Sequence, residues 1–194
     1  MAIFELVFIF LFFASVITLI TSAVIAFVGR SRTALRILRI YAVCLGTYLA
    51  ICLLSALLTP RGVFNIGDPQ CYDDWCIALD IVDKTPGSTT VAYRATIRVF
   101  SRARRVTQRE NGLAVYLEDD RGNRYPPLPD ASATPFSVLL QPGESVTTTR
   151  TFNVPVGAQV AGFVATHEGG FPIGWFIIGE GGSLFHKEAI TRFE

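Results

Sequence analysis

Two residue pairs invite a chemical reading in this 194-residue chain: Cys71 with Cys76, and His167 beside Glu168. A thioredoxin-like redox pair has two residues between its cysteines, whereas four, Tyr72-Asp73-Asp74-Trp75, intervene here. A disulfide closing a small loop is the better reading. Zinc needs three or four ligands, and the only other histidine is His186. Glu168 follows His167 directly, so on a strand the two side chains would point to opposite faces. Paired acids at Asp73/Asp74 and Asp119/Asp120 could suggest calcium or acid–base work. However, Asp119-Asp120-Arg121-Gly122-Asn123 is a turn sequence, and no stretch carries oxygen ligands at EF-hand spacing. No serine sits in a nucleophile elbow, and no glycine loop fits a phosphate. These residues imply no catalytic site, no metal and no cofactor.

The elements that would position them begin with membrane. Apolar runs cover Met1 to Val28 and Ile40 to Leu58, predicting helices over about 3–28 and 40–58. At 1.5 Å per residue each is long enough to cross a hydrocarbon core of roughly 30 Å. Between them a loop over 29–39 carries Arg30, Arg32, Arg36 and Arg39 and no acid. The positive-inside bias places that loop in the cytoplasm, with the N-terminus and the C-terminal domain outside. A cleaved signal peptide would have its basic residues before a shorter apolar core, the reverse of this order. Ala14, Thr18, Ser22 and Ala26 recur every four residues in the first run, and Ala42, Gly46 and Ala50 in the second. Such small-residue stripes let helices approach closely in lipid. They predict a hairpin paired along both stripes, with docking on a helix of another protein as the alternative. Cys44 and Cys52, inside the second span, read as small packing residues.

Residues 59–70 read as a short linker with Pro60, Gly62, Gly67 and Pro69, and 71–194 as one extracytoplasmic domain. From Arg61 onward the chain holds 13 of the 17 basic and 15 of the 16 acidic residues, a near balance that argues against nucleic acid. An oxidising compartment suits the Cys71–Cys76 disulfide. Val91, Tyr93, Ala95, Ile97 and Val99 alternate with polar neighbours, as do Leu113, Val115 and Leu117, and Val146, Phe152 and Val154 share one side of the stretch Glu144 to Val154. These are half-buried strands. Cys76 to Val82, Val160 to Thr166, Trp175 to Ile178 and Ser183 to His186 complete the set, and short strands with Gly, Pro and Asp turns predict a β-sandwich.

The segments LEDDRGNRYPP and LLQPGESVTTTRTFNVP carry a resemblance. Over about residues 77–164 the chain resembles bacterial exported domains with a telokin-like, immunoglobulin-like fold. There a strand ends in an acidic-Gly turn before an aromatic residue (Tyr125), and a Pro-Gly turn (Pro142-Gly143) opens a strand ending Phe-x-Val-Pro (Phe152 to Pro155). The resemblance implies an all-β immunoglobulin-like (telokin-like) sandwich with no catalytic residues. The two-helix transmembrane hairpin that the apolar runs predict, the Cys71–Cys76 loop and the glycine-rich tail depart from the family's common pattern.

Two surface features remain. One is the basic run Arg98, Arg102, Arg104, Arg105 and Arg109, suited to anionic headgroups or an acidic partner. The other is Phe171, Ile173, Trp175 and Phe176 among glycines, suited to a projecting apolar loop. Together they point to a non-catalytic inner-membrane interaction protein, an accessory subunit bracing a larger membrane complex such as a respiratory or photosynthetic one. Its expected partners are lipids and other integral-membrane subunits. The alternative is an envelope sensor binding a small-molecule ligand in a sandwich cleft; an exported redox enzyme ranks third.

Overall fold

The structure is a computed structural model, and it describes residues 3–72, 74–167 and 187–193. Two compact units result, one holding the helices up to Pro60 and one running from Arg61 through the β-strands to Phe193.

In the first unit, α1 (Ile3–Phe27) and α2 (Ser31–Leu58) pack on each other. Both are long and apolar enough to cross a membrane. α1 ends in a Schellman motif: the Gly29 N–H donates to Ala26 and the Arg30 N–H to Ile25, with Gly29 at φ 81°. That left-handed conformation suits glycine, which has no Cβ to clash. The Arg30 carbonyl then accepts from Thr33 and Ala34, opening α2 at once. The expected arginine loop over 29–39 is therefore corrected to a three-residue turn, Val28 to Arg30. Arg32, Arg36 and Arg39 lie on the first turns of α2. Thr33-Ala34-Leu35-Arg36-Ile37-Leu38 holds no helix breaker, and arginine is itself a good helix former.

The helix contact also differs from the expected stripes. The covered positions centre on Phe8, Leu11, Ser15, Thr18, Ser22 and Ile25 of α1, flanked by half-buried Ile9 and Ala14, and on Ala34, Leu38, Tyr41, Leu45, Tyr48, Cys52 and Ala56 of α2, flanked by half-buried Ile37 and Ser55. On both helices these positions recur in steps of three and four, close to the 3.5-residue period of a left-handed coiled-coil seam. Thr18 and Ser22 belong to this seam and Ala14 borders it, while Ala26 faces outward. Ala42, Gly46 and Ala50 all face outward, and nothing lies within 4 Å of a Cβ built on Gly46. A strict four-residue step drifts around a helix of 3.6 residues per turn, so it leaves a seam that the three-four alternation follows. Of the two cysteines on α2, Cys52 is buried in the seam and Cys44 is exposed.

The second unit is a β-sandwich. Its strands are β1 (Val63–Asn65), β2 (Gln70–Tyr72), β3 (Trp75–Pro86), β4 (Thr90–Ser101), β5 (Leu113–Asp119), β6 (Arg124–Tyr125), β7 (Ser145–Pro155), β8 (Val160–His167) and β9 (Ile190–Arg192). One sheet has the order β1-β9-β8-β5-β6 and the other β2-β3-β4-β7. The expected linker over 59–70 thus shrinks to Thr59 and Pro60, because Arg61 already bonds within the domain and β1 pairs in parallel with β9. The expected strands at Trp175 to Ile178 and Ser183 to His186 lie outside the described residues.

Alternation decides what faces the core. Ile77 and Leu79 of β3, the odd positions Tyr93 to Val99 of β4, and Phe152 and Val154 of β7 meet Val115 and Leu117 of β5 and Phe163 and Ala165 of β8. Phe152 and Phe163 join the two layers edge to face, with ring centroids 6.5 Å apart. Gly162 permits the last pairing: a Cβ there would lie 2.5 Å from the Thr191 carbonyl oxygen, so β9 could not approach β8. A bulge between Leu79 and Ile81 inserts Asp80 into β3.

Candidate interaction surface

The sandwich has two ends, and strand register assigns each functional residue to one of them. Leu113 pairs with His167, Trp75 with Ser101, and Phe100 with Ser145. The start of β5, the end of β8, the β2–β3 hairpin, the end of β4 and the start of β7 therefore share one end. The chain enters here too: Arg61 donates from Nε to the Glu188 carbonyl at 2.6 Å, and the Glu188 side chain bonds Thr166, next to last in β8. The opposite end holds the Asp119–Asn123 turn and the β3–β4 and β7–β8 connections.

At the entry end, Cys71 and Cys76 are directly paired across β2 and β3 and joined as a disulfide. Tyr72 and Trp75 pair above them, and the Tyr72 hydroxyl donates to the Ala165 carbonyl at 2.9 Å, tying this hairpin to the other sheet. Burial first, then the Glu188 and Glu110 carboxylates, raise the Tyr72 pKa above its ordinary value. Asp73 lies outside the described residues.

Glu168 lies outside the described residues, and His167 finds a carboxylate on another element. Its Nδ1 sits 2.6 Å from Glu110 Oε1, a residue in the β4–β5 connection. Glu188 gathers a second cluster: it accepts from the Tyr116 hydroxyl and from Thr166 Oγ1 at 2.6 Å, with Arg124 Nη2 at 3.5 Å. Arg61 forks onto Glu118, and the Arg124 guanidinium lies 4.6 Å from the Tyr116 ring centroid. Burial and the Glu188 carboxylate raise the Tyr116 pKa. These groups bond one another and fasten residues 188–192 against β5 and β8. Sequence reading missed them. Period two puts Tyr116 and Glu118 on one face, but Glu188 and Arg61 arrive from more than 55 residues away. Among the described residues no group of three or more His, Cys, Asp or Glu could hold a metal.

The basic run divides. Arg98 is engaged: Nε and Nη2 donate to the two oxygens of the bulged Asp80 at 2.9 and 3.0 Å. Its guanidinium and that of Arg102 lie over Phe100, 5.2 and 5.6 Å from the ring centroid. Arg104, Arg105 and Arg109 are exposed on the β4–β5 connection and make no ion pair among the described residues. Val106 is 58% exposed between them, and Leu139 is 52% exposed on a neighbouring segment joined to theirs by the Gln108–Leu140 bridge. The other expected surface, Phe171, Ile173, Trp175 and Phe176, lies outside the described residues.

Away from this end, Asp119 organises its turn. Oδ1 accepts from the Arg121 and Asn123 amides, and Oδ2 from Asn123 Nδ2 and the Tyr125 hydroxyl, each at 2.8 or 2.9 Å. The Asn123 side chain contributes most to lowering its pKa to about 2. An open cleft of about 420 Å³ is lined by Asp120, Gln159, Val160, Ala161, Arg192 and Phe193.

No protein-family model matches the chain, and no curated protein matches it. Among solved structures it is similar to MPT63, a secreted protein from Mycobacterium tuberculosis. That likeness has 12% identity and a TM-score of 0.43, over 58% of this chain and 93% of that one.

Proposed function

We propose that this chain is a membrane-anchored, non-catalytic interaction protein. Its helices form a transmembrane hairpin, and its sandwich, of immunoglobulin-like (telokin-like) type, stands on the extracytoplasmic side of the inner membrane. The observation that carries this reading is the inverted polarity of the helix pair. Ser15, Thr18, Ser22 and Tyr41 turn inward, and the Tyr41 hydroxyl donates to Ser15 Oγ. Phe10, Phe13, Ile17, Ile20, Ile40 and Val43 face outward, each at least 60% exposed. Outward phenylalanine and isoleucine suit acyl chains, and inward hydroxyls suit a medium that cannot solvate them. α2 is about 42 Å long, more than an apolar layer of roughly 30 Å requires. Its first turns, with Arg32, Arg36 and Arg39, thus extend to the cytoplasmic headgroups. The Cys71–Cys76 disulfide supports an oxidising compartment for the domain.

Within that class, an accessory subunit of a larger membrane complex is the version the outer surface supports. Ala42, Gly46 and Ala50 leave a smooth outward strip on α2 that a helix of another subunit could approach closely. The test is solubilisation from native membranes in mild detergent, size separation, and mass spectrometry of what co-migrates. A defined set of integral-membrane proteins is expected, and a free monomer would overturn the reading. The alternative, an envelope ligand-binding module, draws on the cleft at Asp120 and Arg192, which opens at the end of the sandwich away from the chain entry. Thermal stabilisation of the full chain by a cell-wall fragment would favour it.

A further inference from the structure

We infer that the entry end of the sandwich docks on anionic lipid headgroups through the β4–β5 connection. This rests on the proposed membrane anchor and goes beyond it by assigning a lipid-binding surface to the exported domain. The first support is covalent reach. Only Thr59 and Pro60 separate the last residue of α2 from Arg61, so at 3.8 Å between successive Cα atoms Arg61 stays within about 11 Å of the helix end. The tether therefore keeps the end of the domain that carries Arg61 within that reach of the last residue of α2. Register puts the β4–β5 connection at that same end, since it leaves β4 at Ser101 and joins β5 at Leu113, opposite His167.

The second support is composition and exposure. Arg104, Arg105 and Arg109 are exposed and unpaired among the described residues, and Arg102 is exposed beside Phe100. Val106 and Leu139 are exposed among them. Guanidinium groups around a small apolar tip match the headgroup boundary, where phosphates are met at one depth and acyl carbons just below. Among the described residues the acids at this end are mostly engaged: Glu110 is held by His167, Glu144 Oε2 accepts from the Gln141 amide and Glu188 accepts from Thr166, which leaves Asp74. Arg98 takes no part, because Asp80 holds its fork.

The test uses the full chain reconstituted in vesicles of phosphatidylcholine, alone or with phosphatidylglycerol, with amide exchange followed across residues 102–112. Phosphatidylglycerol is expected to slow exchange there by about tenfold or more, the effect vanishing at high salt. The triple variant Arg104→Glu, Arg105→Glu, Arg109→Glu is expected to lose this lipid dependence while keeping wild-type exchange in the core of β4, since none of the three side chains bonds another described residue. Equal exchange in both vesicles would overturn the inference. So would protection found only in native membranes, which would assign the surface to a protein partner. Co-flotation with phosphatidylcholine vesicles checks the anchor separately: a chain that fails to float overturns the membrane reading itself.

Discussion

Replacing Arg150 with alanine should loosen one side of the sandwich. Arg150 lies at a core-facing position of β7, opposite Ala95, where alternation calls for an apolar side chain. Its guanidinium donates to Thr148 Oγ1 at 2.6 Å, to the Thr149 carbonyl at 2.9 Å and to the Thr134 carbonyl at 2.7 Å, and it lies 4.5 Å from the Phe136 ring centroid. Burial lowers its pKa, yet a guanidinium stays charged. The arginine therefore rivets the connection before β7 onto an edge strand whose backbone otherwise pairs, among the described residues, with Pro127 and Leu128 on that side. A hydrogen bond from a charged donor contributes about 1.5–3 kcal/mol, and a cation–π contact at a partly exposed site about 0.5–1 kcal/mol. Relief of the guanidinium's own desolvation offsets part of this, and Thr134 keeps its bond from Thr148 Oγ1. The net loss should be about 2 kcal/mol, lowering the melting temperature of the domain by on the order of 5–10 °C. The assay pairs a near-ultraviolet melt of the full chain in detergent with amide exchange at Leu128, Val138 and Leu140. Arg150→Lys should recover less than half of the loss, because an ammonium cannot span the three acceptors. If Arg150→Ala melts with the wild type and exchange in this connection is unchanged, the guanidinium is a solvated bystander and the reasoning fails.

Three further outcomes are expected. Asp119 has a folded pKa near 2 against an ordinary 3.8, so the stability it contributes is complete above about pH 4 and disappears as pH falls through 2. Asp119→Asn should flatten the stability profile in that window, as denaturant titrations at stepped pH would show; an unaltered slope would discount the turn network. Cys71 and Cys76 are five residues apart in sequence, and the chain-entropy relation for so short a loop predicts that Cys71→Ala with Cys76→Ala costs about 2 kcal/mol. Guanidinium unfolding measures this, and a loss near zero would mean that the hairpin is ordered by Tyr72 and Trp75 alone. Gly46→Leu should leave the helix pair intact, because the space around it is open, whereas Ser22→Leu at the covered seam should separate the helices. Electron–electron distances between spin labels on α1 and α2 would distinguish the two. Loss of co-migrating subunits in Gly46→Leu alone would link the outward strip to a partner.

Much of this protein is local in origin and so was legible in the chain. A run of apolar residues too long for a strand reads as a long apolar helix whatever surrounds it. Period-two alternation in Val91 to Val99 sets the two faces of β4 before any partner strand arrives. Close cysteines flanking a turn can meet only in a few ways. What escaped depends on register and on contacts across long separations. Arg98 and Arg104 look alike in a basic run, yet a bulge places Asp80 against the first and leaves the second in solvent. Arg150 looks like a surface residue in a threonine-rich strand until the connection before it folds over. Thr18 and Ser22 lie in the helix seam while Gly46 does not, because the seam follows the supercoil and only the packed pair has one. The chain alone determined its elements and the faces of its strands, since these follow from steric preference and side-chain polarity residue by residue. Tertiary structure alone decided which charges are paired, which small residues are buried and which end of the sandwich the chain enters. Those properties belong to pairs of residues brought together from distant parts of the chain.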